Sequence, residues 1–185
     1  MFATAGALLL GTAVLLAPTP TAKTITPGWN ERTQLTDGSG SIRVTIDRIV
    51  LTKRTWRVTA GVTNRSRHTL RITSGTHRAA SLCYTEQPYA YNVGPSLVWQ
   101  ERVPGTNPCW VRQDHYTQTF ARGATRVEPT YPRALRPGQS WHGFFSGPLV
   151  GVPRAQLVRI GLGVVTTATG RDFLLSTTHQ FVARR

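Results

Sequence analysis

The residues that could carry out chemistry in this 185-residue chain lie mainly in two short motifs. In the first, Gly138-Gln-Ser-Trp-His142 places a serine hydroxyl two residues before an imidazole, a combination that suits nucleophilic hydrolysis. The motif differs from a nucleophile elbow because His142 stands where the second glycine belongs, and because its surroundings predict entry into a strand. A hydrolase that uses Ser140 with His142 is therefore one candidate function, and it is the alternative to the binding module described below.

The second motif sets an acid beside a base, at Asp114 and His115. Adjacent residues of a strand point to opposite faces, so these two side chains would work together only in a special loop. A hydrolase that uses His115 with Asp114 is the second version of the hydrolase hypothesis. The five histidines lack zinc-like spacing and only eight carboxylates serve the whole chain, so we expect no metal or other cofactor.

Two cysteines, Cys83 and Cys109, bound a segment rich in aromatic residues and prolines. In an oxidising compartment they would form one intrachain disulfide, which would stabilise the fold by about 3–4 kcal/mol in the chain-entropy model. A metal site would need further ligands, and a nucleophilic thiol would need a histidine partner that sequence alone does not identify. The disulfide is the favoured interpretation.

Aromatic side chains of this clamped loop are a candidate binding surface. Such side chains either stack on sugar rings and apolar ligands or pack a small core beside a disulfide. Packing is the more common role, and both interpretations stay open. The candidate surface comprises Tyr89, Tyr91, Trp99 and Trp110.

The first 22 residues predict export from the cytoplasm. They are uncharged and apolar up to Pro18 and Pro20, after which the chain becomes polar. An apolar run of this length is typical of a signal peptide and is too short for a spanning helix. We therefore expect residues 1–22 to be a signal peptide, or an anchor if they stay uncleaved, and the protein to be secreted or attached to the cell envelope.

The net charge of +14 lies entirely beyond that segment. Its arginine bias is also typical of GC-rich coding, so genome composition is one source of the charge and a functional partner is another. Between Asp47 and Glu86 there is no carboxylate, while eight cations accumulate. Either these cations are solvated on outward strand positions, or they form an anion-binding surface. The candidate surface comprises Arg54, Arg57, Arg65, Arg67, Arg71 and Arg78.

Strands must position most of these side chains. Residues 23–41 are rich in Thr, Pro, Gly and Ser and predict a flexible linker. From Ile42 onward apolar residues recur at every second position in several runs, with turn residues between them. Because no sustained helical period interrupts these runs, we expect residues 42–185 to form one all-β domain, an antiparallel β-sandwich.

The run Trp56-Arg-Val-Thr-Ala-Gly-Val-Thr-Asn64 and the later Leu135-Arg-Pro-Gly-Gln-Ser140 carry a resemblance. They resemble the strand and turn motifs of bacterial secreted immunoglobulin-like domains, over roughly residues 42–181. The resemblance implies an immunoglobulin-like antiparallel β-sandwich, to which the disulfide-clamped aromatic loop is an addition. It brings no catalytic residues, and it implies functions that range from adhesion to envelope scaffolding.

Together these features predict a noncatalytic binding or structural module of the cell envelope. A cationic face would bind an anionic component, such as phospholipid headgroups, acidic wall polymers or extracellular nucleic acid, or else a protein partner. Nucleic acid is the least favoured, because neither a reading helix nor an RNA-binding aromatic motif accompanies the charge.

Overall fold

The computed structural model describes residues 22–35, 37–73, 94–104, 115–152, 155–170 and 172–183. Within these ranges there are thirteen strands and every strand pair is antiparallel. The strands are β1 (Lys23–Ile25), β2 (Trp29–Gln34), β3 (Ser41–Leu51), β4 (Thr55–Asn64), β5 (Leu70–Thr73), β6 (Pro95–Pro104), β7 (His115–Gly123), β8 (Arg126–Glu128), β9 (Ala134–Leu135), β10 (Ser140–Pro148), β11 (Leu157–Thr166), β12 (Asp172–Ser176) and β13 (Phe181–Val182).

These strands form two sheets. The first has the order β1-β3-β4-β10-β8, and β2 pairs with the same edge of β3 as β1 does. In the second sheet β11 is central, with β6 and β5 along one edge and β12 and β13 along the other. Beyond these, β7 pairs with β6 and β9 pairs with β5.

One apolar core lies between the two sheets. On β4 every second residue from Trp56 to Asn64 is buried, as the sequence alternation predicts. From the second sheet Val158, Ile160 and Leu162 of β11 join the same core. The prediction of an all-β fold built from two antiparallel sheets is therefore confirmed. Among the described residues no helix has the length and hydropathy needed to cross a membrane.

The prediction of a flexible linker over residues 23–41 is wrong for much of that range. β1 pairs with residues 49–51 of β3, and β2 pairs with residues 41–46 in unbroken register. The two strands follow one another along the same edge of β3 and are separated by residues 26–28, where Gly28 has a φ of +58°. Polar edge strands of this kind escape a search for apolar alternation, because their pairing depends on backbone hydrogen bonds and one side remains solvated.

Asn64 joins the two motifs that carry the family resemblance. Its buried amide nitrogen donates to the carbonyl groups of His68 and Leu135, each at 2.8 Å. Its Oδ1 accepts from the backbone N–H of Ser66 at 2.8 Å and from the Ser66 hydroxyl at 2.7 Å. The backbone N–H of Asn64 donates to the carbonyl of Gln139, inside the second motif. The strand motif and the turn motif are therefore one hydrogen-bonded unit.

Tyr131 follows β8 and ties the first sheet to the second. Its hydroxyl donates to the carbonyl of Leu162 on β11 at 2.7 Å, and its ring meets Trp141 edge-on at 4.9 Å between centroids. Burial raises the pKa of Tyr131, so the hydroxyl stays protonated and remains a donor. This contact holds the chain that leaves β8, and it therefore helps to place Arg126 at the start of that strand.

Candidate anion-binding surface

The outer face of the first sheet presents arginine side chains from four of its strands. Alternate residues of these strands point into the core, which leaves the intervening positions on the outer face. Arginine occupies five of those outward positions in the described chain. They are Arg32 on β2, Arg43 and Arg48 on β3, Arg57 on β4 and Arg126 on β8, and we call them the arginine face.

Arg32 and Arg43 lie directly opposite each other in the register of β2 and β3. Neutral groups hold both guanidinium groups: Arg32 Nε donates to the hydroxyl of Ser41, and Arg43 Nε donates to Oδ1 of Asn30, each at 2.8 Å. No carboxylate takes part in these hydrogen bonds, so neither positive charge is offset by a bonded negative charge.

Arg57 and Arg126 flank Ser146 on the middle strand of three, β4, β10 and β8. The guanidinium carbon of Arg57 lies 3.6 Å from the centroid of the Phe144 ring, and that of Arg126 lies 5.6 Å from it. Arg126 also forms an ion pair with Glu128 at 2.6 Å. Two cations thus share one aromatic ring, and one of them is partly neutralised.

The second carboxylate on this face, Asp47, is bonded to an imidazole. Nε2 of His142 lies 2.8 Å from Oδ2 of Asp47, although their strands are separated by β4. Gly61 of β4 lies between them, and a Cβ there would come within 3.2 Å of the imidazole and 2.6 Å of the Thr45 hydroxyl. The missing side chain lets His142 cross β4. In the described chain the arginine face therefore carries five arginines against two carboxylates.

Ser140 and His142 both point outward from β10, but the structure directs them to different partners. The hydroxyl of Ser140 lies 2.9 Å from that of Thr63, whereas His142 is bonded to Asp47. No hydrogen bond joins Ser140 to His142 in this part of the chain, so the contact that would activate a nucleophile is not formed here. For the other form of the hydrolase alternative, His115 begins β7 and Asp114 lies outside the described residues.

The arginines that the sequence groups together are spread over the molecule. Arg57 belongs to the arginine face, while Arg54 lies in the β3–β4 turn. Arg65 and Arg67 follow the opposite end of β4, about 30 Å away along ten residues of extended chain. The remaining two are Arg71, on β5 of the second sheet, and Arg78, outside the described residues.

Trp99 does not lie on an exposed aromatic surface. Only 7% of it is exposed, its ring stacks on Phe120 at 5.9 Å, and its indole N–H donates to Glu101 at 2.6 Å. Its position on β6 points into the core, and this corrects the prediction for that residue. The other members of the predicted loop, Tyr89, Tyr91, Trp110, Cys83 and Cys109, lie outside the described residues, as do residues 1–21. The disulfide and the signal peptide stay predictions.

A cleft of about 270 Å³ lies on the outer side of the second sheet, over β6, β11 and β12. Its one cation in the described chain, Arg159, donates through Nε and Nη2 to the amide oxygen of Gln180, at 3.0 and 3.1 Å. Val98, Leu157 and Leu174 supply apolar surface. With its single guanidinium already bonded, the cleft is a weaker anion site than the arginine face.

The described residues contain no group of three or more His, Cys, Asp or Glu side chains that could share a metal ion. Comparisons of the chain with protein-family models, with curated proteins and with solved structures found no match. The proposal on function therefore rests on the residues of the arginine face.

Glu31 is a buried carboxylate that ties β2 to the second sheet, at the side of the arginine face. Its Oε2 accepts from the backbone N–H and the hydroxyl of Thr178, at 2.6 and 2.9 Å. Its Oε1 accepts from the backbone N–H and Nδ1 of His179, at 3.1 and 2.7 Å. Burial raises the pKa of Glu31, but the hydrogen bonds from Thr178 and His179 outweigh this and hold the pKa below its usual value of 4.5.

Replacing Glu31 with glutamine should lower the free energy of unfolding by about 1–2 kcal/mol at pH 7, because an amide cannot accept four hydrogen bonds. A lowered folded-state pKa stabilises the fold above the unfolded pKa, and that stabilisation is lost as pH falls through the folded value. The stabilities of wild type and Glu31→Gln should therefore converge as pH falls through the lowered folded pKa of Glu31. Urea titrations at several pH values test this, with exposed Glu128→Gln as control; a difference that does not depend on pH would contradict it.

Proposed function

We propose that this protein is an exported, noncatalytic binding module whose arginine face binds an acidic polymer of the cell envelope. The observation that supports this most directly is the presence of five arginines on one sheet face, against two carboxylates that are each already bonded. A surface with this balance of charge attracts extended anions through a field that salt weakens.

The composition of the face favours a polymer over a membrane surface. Hydroxyl groups stand between the arginines, and they suit hydrogen bonding to sugar or phosphate oxygens. Val150 and Leu157, the most exposed large apolar side chains in the described residues, lie off this face. An interfacial membrane site would place exposed apolar side chains beside the cations, whereas the ring of Phe144 on this face is half-buried and lies against Arg57. The outward hydroxyls are Thr45, Thr59, Thr63, Ser140 and Ser146.

Two further features support the proposals that the domain is immunoglobulin-like and that the protein is exported. Asn64 hydrogen-bonds the strand motif to the turn motif, which are the two motifs that resemble secreted immunoglobulin-like domains. Residues 1–22 have the composition of a signal peptide. An exported location would also bring the arginine face to the acidic polymers of the envelope.

The triple variant Arg32→Gln, Arg43→Gln, Arg48→Gln should bind a soluble polyanion at least about tenfold more weakly than wild type at moderate salt. Poly(glycerol phosphate) is a suitable probe, measured by calorimetry with the purified exported protein over a range of salt concentrations. Wild-type affinity should fall steeply as salt rises, because binding releases counterions.

A matched triple variant, Arg54→Gln, Arg65→Gln, Arg67→Gln, removes the same charge from outside the arginine face. It should weaken binding by no more than about twofold, because only the long-range field changes. Equal losses in the two triple variants, or affinity that does not respond to salt, would overturn the proposal. Labelling by a serine-hydrolase probe that Ser140→Ala abolishes would favour the enzyme instead.

A further inference from the structure

We infer that Arg57, Ser146 and Arg126 form a phosphodiester-binding subsite within the arginine face, built around the ring of Phe144. The inference rests on the proposed function, and it names the chemical group that this part of the face recognises. The three residues come from three strands that are adjacent in the sheet, of which β4 is far in sequence from β8 and β10.

The strand register brings three donors into one row. Arg57 lies opposite Ser146 on β10, and Ser146 lies opposite Arg126 on β8. Neighbouring strands are about 5 Å apart, so the two arginine Cα atoms are about 10 Å apart with the serine between them. In the described part of the chain the Ser146 hydroxyl has no hydrogen-bond partner, while its carbonyl accepts from Thr125 at 2.9 Å. One anion above Ser146 is within reach of both long side chains.

Phe144 orders the guanidinium group of Arg57. The 3.6 Å separation from the ring centroid is that of a close cation–π contact. The contact packs the guanidinium against the ring and so restricts its position on the outer face. No carboxylate of the described residues pairs with Arg57. An ordered guanidinium without a counterion loses little side-chain entropy when an anion binds.

Glu128 has two opposing effects on the same subsite. Its Oε1 accepts from Nε of Arg126 at 2.8 Å and so orients that guanidinium. Glu128 also lies opposite Phe144 in the register of β8 and β10, and from there its negative charge repels an incoming anion. Removing this charge while keeping the side-chain size should therefore strengthen anion binding.

A phosphodiester matches these donors better than a carboxylate does. Its tetrahedral oxygens accept hydrogen bonds from several directions, as two guanidinium groups and a hydroxyl on three strands require. The acceptor positions of a carboxylate all lie in one plane, so they match donors that arrive from three different strands less well. The phosphodiester is that of an envelope polymer, in keeping with the hydroxyl-rich face.

Arg57→Gln and Phe144→Leu should each weaken binding of poly(glycerol phosphate) about five- to tenfold, because the first removes the guanidinium and the second removes the ring that orders it. Phe144→Leu leaves the net charge unchanged, so a loss in that variant cannot come from the long-range field. Arg54→Gln, which removes one charge from the adjacent turn, should change the affinity less than about twofold. Glu128→Gln should strengthen binding about two- to fivefold. Melting curves establish that each variant is folded.

Two further probes identify the source of the phosphodiester. The affinity for polyglutamate of equal charge should fall by the same factor in Arg57→Gln and Arg54→Gln, because polyglutamate does not use the subsite. Vesicles of phosphatidylglycerol should bind more weakly than the soluble phosphate polymer. If wild type binds no polyanion, the proposed function fails. If it binds, but Arg57→Gln and Arg54→Gln are equal and Phe144→Leu has no effect, only the subsite is wrong; preference for vesicles would overturn the polymer as its source.

Discussion

Asn64→Asp should lower the free energy of unfolding by about 3–5 kcal/mol near neutral pH, because it places a carboxylate against two carbonyl oxygens inside the protein. The native amide donates to His68 and Leu135 and accepts twice from Ser66, so its hydrogen-bonding capacity is filled. The substitution barely changes the size of the side chain. The loss of stability therefore measures the effect of the buried charge and not a change in packing.

The size of this loss should depend on pH in a defined direction. Burial raises the pKa of an introduced carboxyl group, and the neutral acid restores one donor. Destabilisation should then be smallest in acid and grow as pH rises, which urea titrations from pH 4 to 8 would measure. Asn30→Asp is a matched control, because its exposed oxygen accepts from Arg43 and a carboxylate there should cost less than about 0.5 kcal/mol. Equal effects at both positions would contradict the role assigned to Asn64.

Trp56→Ala should lower the free energy of unfolding by about 3–5 kcal/mol, through the cavity left in the core. Trp56 is 1% exposed, and its ring meets Phe145 edge-on at 5.8 Å between centroids. Its indole N–H donates to the carbonyl of Pro148 at 3.2 Å. This one side chain therefore fills the core where β4 meets β10 and satisfies a backbone carbonyl at the end of β10.

Trp56→Phe separates these two contributions. It keeps much of the aromatic volume and loses the hydrogen bond, so it should cost about 1–2 kcal/mol. The measurement is guanidinium denaturation of the three proteins. Their free energies of unfolding should depend on denaturant concentration with the same slope, so that the midpoints can be compared. A Trp56→Ala variant within 1 kcal/mol of wild type would show that the core closes over the gap, contrary to the close packing expected between the sheets.

Stability and binding are expected to depend on opposite faces of the same strands. On β4, Trp56 faces the core and Arg57 faces outward, one residue apart. Substitutions at Arg57 should therefore change anion binding with little effect on unfolding, whereas those at Trp56 should do the reverse. This separation makes the binding experiments interpretable without large corrections for stability.

The candidate binding site was only partly predictable from the sequence. The absence of carboxylates between Asp47 and Glu86 directed attention to Arg57, which lies on the arginine face, but it also grouped Arg65 and Arg71, which lie elsewhere. Arg126 was missed because it lies far along the chain and in a three-residue strand. The polar alternation on β3 indicates that Arg43 faces outward, but Arg43 precedes the stretch without carboxylates and was therefore not included in the candidate surface.

What the sequence determined by itself is the all-β character and the inward-facing side of the long strands. Both follow from local alternation, because a strand turns every second side chain to the same face. Which outward residues lie together was decided only in the tertiary structure. Backbone hydrogen bonds between strands do not depend on side-chain identity, so the register that places Arg57, Ser146 and Arg126 in one row is set by how the whole core packs.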